Sequence, residues 1–205
     1  MTNSTDRRVA ANLSLTLDGR YNGPGGPSDF AAFAPYVTSE VARNHMNRIW
    51  ENATTALLGR LNAEGFMGYW PSVAEDENAN PCDRGYAKWL VDTEEVVFSA
   101  TLTEAPWART RVVNAPADVV ADLKATGEGD ILVNSSASII KPLLSADLLD
   151  RLYLMIFPEI AGGGQRLFDD GLPASEWTLC VTPCLLGGAA LDDRGDCFLD
   201  NVHCG

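Results

Sequence analysis

The stretch that most constrains the fold is GDILVNSSASIIKPLLSADLLDRLYLMIFPEIAGGGQRLF, residues 129–168. It opens with a short apolar run, Asp130 to Val133, followed by the turn residues Asn134 to Ser136. Apolar residues then fall at Ile139, Ile140, Leu143, Leu144 and Leu148, which is helical spacing. A second run, Asp150 to Pro158, carries Tyr153, Ile156 and Phe157 and leads to Gly162-Gly163-Gly164. Two strands joined by a helix predict a parallel crossover, because parallel neighbours cannot be joined by a tight turn. Ligands of open α/β sheets bind beyond the carboxyl ends of the strands. The turn Asn134–Ser138 is therefore the first candidate for a site.

The same grammar extends over the rest of the chain. Val9 to Leu17 reads as a first strand that leaves through Asp18-Gly19 into RYNGPGGPSDF, where glycine and proline are too dense for anything but a loop. A helix is predicted over Ser39 to Trp50, with Thr38 or Ser39 as its cap, and a strand over Thr54 to Gly59. Arg60 opens a further helix. Ala74 to Asp83 reads as a polar loop, Tyr86 to Leu90 as a short helix, and Glu95 to Leu102 as a strand. Asn114 to Gly129 reads as a helix with Pro116 near its start and glycines at its end. Trp177 to Pro183 should be an edge strand. From about residue 184 the tail has no convincing run, and only Cys197 to Val202 offers a closing strand.

The 205 residues fit one domain with a sizeable core. A net charge of −13 without any basic run disfavours nucleic acid as a partner. With no run of eighteen apolar residues, no membrane span is expected, and the absence of an apolar leader segment gives a cytoplasmic expectation. Cysteines stand at 82, 180, 184, 197 and 204, with His203 beside the last. An odd count in such a chain argues against a disulfide framework. Their spacing is looser than the paired spacing of zinc sites, so no metal is expected.

Several of these segments carry more than pattern. Asp147-Leu148-Leu149-Asp150-Arg151-Leu152 followed by Pro158-Glu159-Ile160-Ala161-Gly162-Gly163-Gly164-Gln165-Arg166-Leu167-Phe168, and ALLGRLNAEGF with Tyr69-Trp70-Pro71, resemble the dihydrofolate-reductase-like superfamily. The closest branch is the C-terminal reductase domain of the riboflavin-biosynthesis deaminase/reductase and its stand-alone bacterial relatives. The resemblance implies an α/β fold of three layers. A mostly parallel central sheet with an antiparallel edge would carry helices on both faces. It also implies NADPH as cofactor, a small heterocyclic substrate of pterin or pyrimidine type, and a homodimer, since relatives pair.

The resemblance assigns cofactor contacts to Gly59, Arg60 and Asn62, to Ser99 and Thr101, and to the turn Asn134, Ser135, Ser136, Ala137 and Ser138. Asn62 stands where the family has threonine, and the turn lacks the family's glycines. Arg60 at a helix N-terminus suits phosphate, although a surface ion pair is its plain alternative. Ser99 and Thr101 read equally well as turn formers. Tyr69 and Trp70 are substrate-lining candidates or core residues. Dihydrofolate reductases use a buried carboxylate beyond the mobile loop. Asp18 and Asp29 are the catalytic candidates here, with Glu40 in the same region. His45 and His203 sit in no motif and read as exposed or structural. Ser138 as helix cap would place Pro142 in the first turns and delay or distort the helix. Three functions remain open: a heterocycle reductase, a binding protein whose cofactor turn has decayed, and an authentic dihydrofolate reductase.

Overall fold

The computed structural model describes residues 7–180 and 198–201. Among them eight strands form one sheet in the order β4-β3-β2-β5-β1-β6-β8-β7. The strands are β1 (Val9–Thr16), β2 (Ala53–Gly59), β3 (Glu94–Phe98), β4 (Thr110–Val113), β5 (Asp130–Asn134), β6 (Arg151–Phe157), β7 (Trp177–Cys180) and β8 (Phe198–Asn201). The first six in spatial order are parallel to their neighbours. β8 runs antiparallel between β6 and β7, which gives the antiparallel edge. The predicted crossover is present: β5 and β6 flank β1, joined over it by α6 (Ala137–Ser145). Only the β8 part of the tail falls within the described residues. Pro183, Cys184, Cys197, His203 and Cys204 lie outside them.

Strand alternation sorts the core onto two faces. Val9, Ala11, Leu13 and Leu15 of β1 point to one face, where Ile131, Val133 and Leu152 join them under α5 (Pro116–Lys124) and α6. Val120 and Leu123 of α5 and Ile139, Ile140 and Leu143 of α6 complete that layer. The opposite face is covered by α2 (Glu40–Trp50), α3 (Arg60–Glu75) and α4 (Pro81–Asp92). There Ala56, Leu58 and Val97 pack with Ala63, Tyr86 and Leu90, while Ala10 and Leu132 pack with Ile49. A short helix, α1 (Ala34–Val37), precedes α2 and packs Phe33 and Tyr36 onto Phe157.

The far end of the sheet is stapled by charge. Arg7 donates to the carbonyls of Gly129 (2.9 Å) and Thr126 (3.3 Å) and to the hydroxyls of Thr54 and Thr55 (both 2.8 Å). Asp150, the second aspartate of the DLLD step, accepts from the Val9 amide at 2.7 Å and pairs with Lys124 at 2.6 Å. These contacts fix the register at which β1 enters between β5 and β6.

Several boundaries differ from the sequence expectation, each for a local reason. The loop expected over Ala74–Asp83 shrinks to residues 76–80. α3 runs through Pro71 to Glu75, and Asn80 caps α4 by accepting from the Cys82 amide at 2.9 Å, with Pro81 as its first residue. β3 stops at Phe98 because Ser99 Oγ accepts from the amides of Thr101 (3.1 Å) and Leu102 (2.8 Å), closing a turn. α5 ends at Lys124, short of the glycines at positive φ, Gly127 and Gly129. α6 starts at Ala137 with Ser136 as N-cap, not at Ser138 or later. Pro142 is carried inside that helix, where it lacks the amide that would bond the Ser138 carbonyl. Ser39 caps α2 as expected, accepting from the Ala42 amide at 3.2 Å.

Candidate active site

At the carboxyl ends of β2 and β5 two helices start side by side. Gly59, which has no side chain, is the N-cap of α3, and Ser136 is that of α6 without its hydroxyl capping the helix. The first-turn amides of both helices therefore face one rim carrying the positive ends of two helix dipoles. Their spacing is set by a small network. Ser136 Oγ accepts from the Gly59 amide at 2.9 Å and donates to the Asn134 carbonyl at 3.1 Å. Asn62 Nδ2 donates to the Ser135 carbonyl, and lies 3.1 Å from Ser136 Oγ. A Cβ at Gly59 would stand 3.0 Å from Ser138 Oγ, so only glycine allows this approach without displacement. Ser135 sits at φ 54°, the left-handed conformation that a glycine would adopt without cost. Asn62, Gly59 and the Asn134–Ser138 turn thus form one unit, as the sequence grouped them.

Beside this unit, the loop after β1 is zipped to the glycine-rich segment after β6. Asp18 accepts from the Thr16 hydroxyl (2.7 Å) and from the amides of Ala161 (3.0 Å) and Gly162 (3.1 Å). The Thr16 hydroxyl first, and then those amides, hold its carboxyl down at about 2. Asp18 is therefore an ionised clamp and not a proton reservoir at neutral pH. Asn22 is fully buried, donates to Gln165 Oε1 (2.9 Å) and accepts from the Gln165 amide (2.6 Å). Gly164 lies so close that a Cβ there would be 2.1 Å from the Asn22 carbonyl oxygen. Arg20 donates to the Gly164 carbonyl. Asp29 turns back into its own loop, accepting from the amides of Gly25 (2.9 Å) and Ala31 (3.2 Å). Glu40 is exposed at the start of α2. Both carboxylates considered for the proton-source region are thus engaged elsewhere or facing solvent.

The remaining sequence candidates occupy plainer surroundings. Arg60 is at the mouth of the rim but pairs with Glu64, one turn along α3, at 2.8 Å. Ser99 uses its hydroxyl to close the turn after β3, and Thr101 is exposed within it. Tyr69 and Trp70 lie nine and ten residues into α3, roughly 14 Å from its N-terminus at the helical rise. Trp70 packs edge-on against Tyr86 at 4.7 Å between ring centroids, and Tyr69 stacks edge-on upon Trp70 in solvent. Trp70 is a packing residue against α4, and Tyr69 is exposed beside it.

Sequence reasoning missed a row of polar side chains on the α2 side. In-register pairing places Asn12 of β1 beside Asn134 of β5 and Tyr153 of β6, all near-fully buried. His45 of α2 lies over the row, its Nε2 3.2 Å from Asn12 Oδ1 and its ring edge-on to Tyr153 at 5.7 Å. Asn12 Nδ2 points at Met46 Sδ (3.3 Å), and Asn134 Nδ2 donates to the Tyr86 hydroxyl. The Asn12 carbonyl accepts from the Ser135 amide at 2.9 Å, joining the row to the turn. Burial, and then the charge of Arg48, hold the imidazole down at about 4, so it is neutral at physiological pH. The available signal was two asparagines breaking apolar strand runs at matching positions, which only the pairing register brings together.

Comparison with known proteins bears on this geometry. The RibD C-terminal domain family matches residues 7–182. The uncharacterized protein YyaP of Bacillus subtilis is 27% identical over 171 residues, covering 83% of this chain and 85% of its own. Among solved structures, a putative riboflavin biosynthesis protein from Shewanella sp. PV-4 superposes with a TM-score of 0.64 at 16% identity, over 95% of this chain and 99% of that one. Acinetobacter baumannii RibD superposes with a TM-score of 0.58 at 15% identity, over 97% of this chain but only 59% of its own. The family match spans nearly all the described residues and the superpositions show a shared α/β fold, so the chain belongs to the RibD C-terminal domain family.

Proposed function

We propose that this protein is an NADPH-dependent reductase of a small pyrimidine- or pterin-like heterocycle. The observation that carries the reading is the convergence of the α3 and α6 N-termini, neither with a side-chain cap from its N-cap residue, at the carboxyl rim of β2 and β5. Two sets of first-turn amides, locked together by Ser136 and Asn62, suit a diphosphate. Family membership supports the same use of the rim. Gly59, Asn62 and Asn134–Ser138 would hold the diphosphate. Arg60, released from Glu64, would reach the 2′-phosphate, and Ser99 and Thr101 stand toward the adenosine end.

NADPH, when bound, supplies the hydride. This chain's residues supply position: reacting carbons must approach to about 3–3.5 Å. The buried Asn12–Asn134–Tyr153 row under His45 supports the turn from within the sheet, since the Asn12 carbonyl holds the Ser135 amide. Asp18 holds the loop after β1 against residues 161 and 162. Asp29 keeps the glycine-rich part of that loop folded. Neither carboxylate is assigned a proton-transfer role.

One observation favours the second reading, a binding protein with a decayed turn: Ser135 holds a strained φ, and serine hydroxyls crowd Gly59. A thermal-shift titration separates the two. A ligand at a hundredfold excess over its Kd stabilises the fold by about 2.7 kcal/mol. NADPH at millimolar concentration is expected to raise Tm by several degrees. Absence of any shift with NADPH or NADH would establish the decayed reading.

A further inference from the structure

Five aromatic rings form an unbroken row through the helical layer that holds α3 and α4. Trp50, the last residue of α2, stacks on Trp89 of α4 at 5.9 Å between ring centroids. Trp89 lies 5.6 Å from Tyr86, one turn back along α4, and Tyr86 lies 4.7 Å from Trp70 of α3. Trp70 in turn meets Tyr69 at 5.0 Å. Three of the chain's five tryptophans and two of its five tyrosines stand in this row. Each spacing is that of a favourable aromatic pair. Packing accounts for the four inner rings but not for the fifth, since Tyr69 is 59% exposed and buries little. The row therefore runs from the interior to a phenol in water. Its middle also touches the candidate site, because the Tyr86 hydroxyl accepts from Nδ2 of Asn134, the residue at which the Asn134–Ser138 turn begins.

Indole and phenol are the aromatic side chains most readily oxidised by one electron, and rings in contact can exchange that electron. What decides where the vacancy rests is the proton. A phenol that loses an electron must also give up its hydroxyl proton, whereas an indole can carry the charge for a time as a protonated radical. Trp89 Nε1 donates to the Ala53 carbonyl at 2.7 Å, and Trp50 Nε1 donates to Asn47 Oδ1 at 3.2 Å. Neither acceptor is a base, so both indoles keep their protons and neither traps the vacancy. Tyr86 is buried, and that burial, followed by the charge of Glu95, holds its hydroxyl well above the usual phenol range. Its proton has no easy exit, so Tyr86 bridges Trp89 and Trp70 without becoming the resting place. Tyr69, at the exposed end, can hand its proton to water.

We propose that this row is a relay for oxidising equivalents: an electron vacancy made on Trp50 or Trp89 by an oxygen- or nitrogen-centred radical is filled by an electron from Tyr69, passed through Trp70 and across Tyr86. The indole cation radical returns to neutral indole. Tyr69 becomes a tyrosyl radical, and its proton goes to water. A soluble thiol restores the phenol by giving one hydrogen atom and leaves as a thiyl radical. Damage is thereby drawn out of the layer that supports Asn134 and delivered to a surface residue. The relay stands on ring geometry and does not rest on the reductase reading.

The test is pulse radiolysis of the whole protein in azide solution. The azide radical oxidises indole in preference to phenol, and tryptophanyl and tyrosyl radicals have separate absorption bands. In the wild type the tryptophanyl band is expected to decay as the tyrosyl band grows, at a rate independent of protein concentration. Tyr69→Phe, which changes an exposed side chain and should melt as the wild type does, is expected to lose most of that growth and to lengthen the tryptophanyl lifetime. Trp70→Phe is expected to do the same, whereas Tyr36→Phe, outside the row, should leave both bands unchanged. Peptide mass spectrometry after a graded radical dose should then find more oxidation at Trp50 and Trp89 in Tyr69→Phe than in the wild type. Absence of tyrosyl growth in the wild type, growth that survives in either Tyr69→Phe or Trp70→Phe, or a growth rate that rises with protein concentration would overturn the inference.

Discussion

Glu95 offers the sharpest physical test of this structure. It sits in β3 between Ala56 of β2 and Thr110 of β4, 1% exposed, on the face packed by Tyr86 and Leu90. One carboxyl oxygen accepts from the Thr110 hydroxyl at 3.0 Å, and the other, Oε1, has no hydrogen-bond partner among the described residues. Burial pushes the carboxyl up to about 7. The folded state therefore binds this proton more tightly than the unfolded chain does. The resulting stabilisation is fully present below the unfolded value near 4.5 and is lost as pH rises through 7. Between pH 5 and pH 8 the loss is about 2.5 kcal/mol. His45 works the other way. Its folded value near 4 lies below the ordinary 6.5, so stability is lost as pH falls through that window, by an amount of similar size. The wild-type stability curve should then be shallow between pH 5 and 8. Glu95→Gln removes one of the two opposing contributions, and its stability should rise with pH by about 2 kcal/mol. Urea denaturation of both proteins at four pH values gives the comparison. If their difference in unfolding free energy is the same at pH 5 and pH 8, Glu95 is not a neutral acid in the fold and the reasoning fails.

Three further outcomes follow from named contacts. Ser135→Gly relieves a left-handed residue and should raise stability by up to about 1 kcal/mol in chemical denaturation while leaving or improving NADPH affinity. Arg60→Ala should weaken NADPH more than NADH in direct titration; equal losses would remove the 2′-phosphate role and leave the Glu64 pair as its purpose. Gly164→Ala places a Cβ 2.1 Å from the Asn22 carbonyl at φ 100°, so a loss of about 3 kcal/mol or more is expected, and a melting curve within a degree of wild type would show that this loop is not clamped as described.

Much of the architecture was legible because it is written locally. The apolar runs at Val9, Thr54, Asp130 and Asp150, the glycines after β6 and the Gly59-Arg60 step each announce themselves within a few residues, and the runs form parallel neighbours of one sheet. What escaped is non-local or masked by composition. β4 is four residues long and, among the described residues, pairs only with β3, so no periodicity marks it. α4 begins in a polar stretch whose cap, Asn80, looks like a loop residue until Pro81 is seen to start a helix. The contact between His45 and Asn12, and the pairing of Asn12 with Asn134, depend on which strands are neighbours, and the isolation of Glu95 on which face of β3 is covered. Asp18 was legible as the residue leaving β1 but not in its surroundings, since the amides that bind it come from residues 161 and 162.

The central strand is also the earliest in the chain. β1 pairs Val9 with Ile131 on one side and Thr16 with Phe157 on the other, so it waits for segments made far later. During synthesis β2, β3 and β4 emerge as neighbours able to pair among themselves, while β1 has no sheet to enter until β5 and β6 leave the ribosome. High contact order of this kind slows folding and prolongs exposure of an apolar strand. The alternating apolar face of β1 is thus a hazard for the nascent chain, and the Arg7 and Asp150 staples act last, sealing it into place once its partners exist.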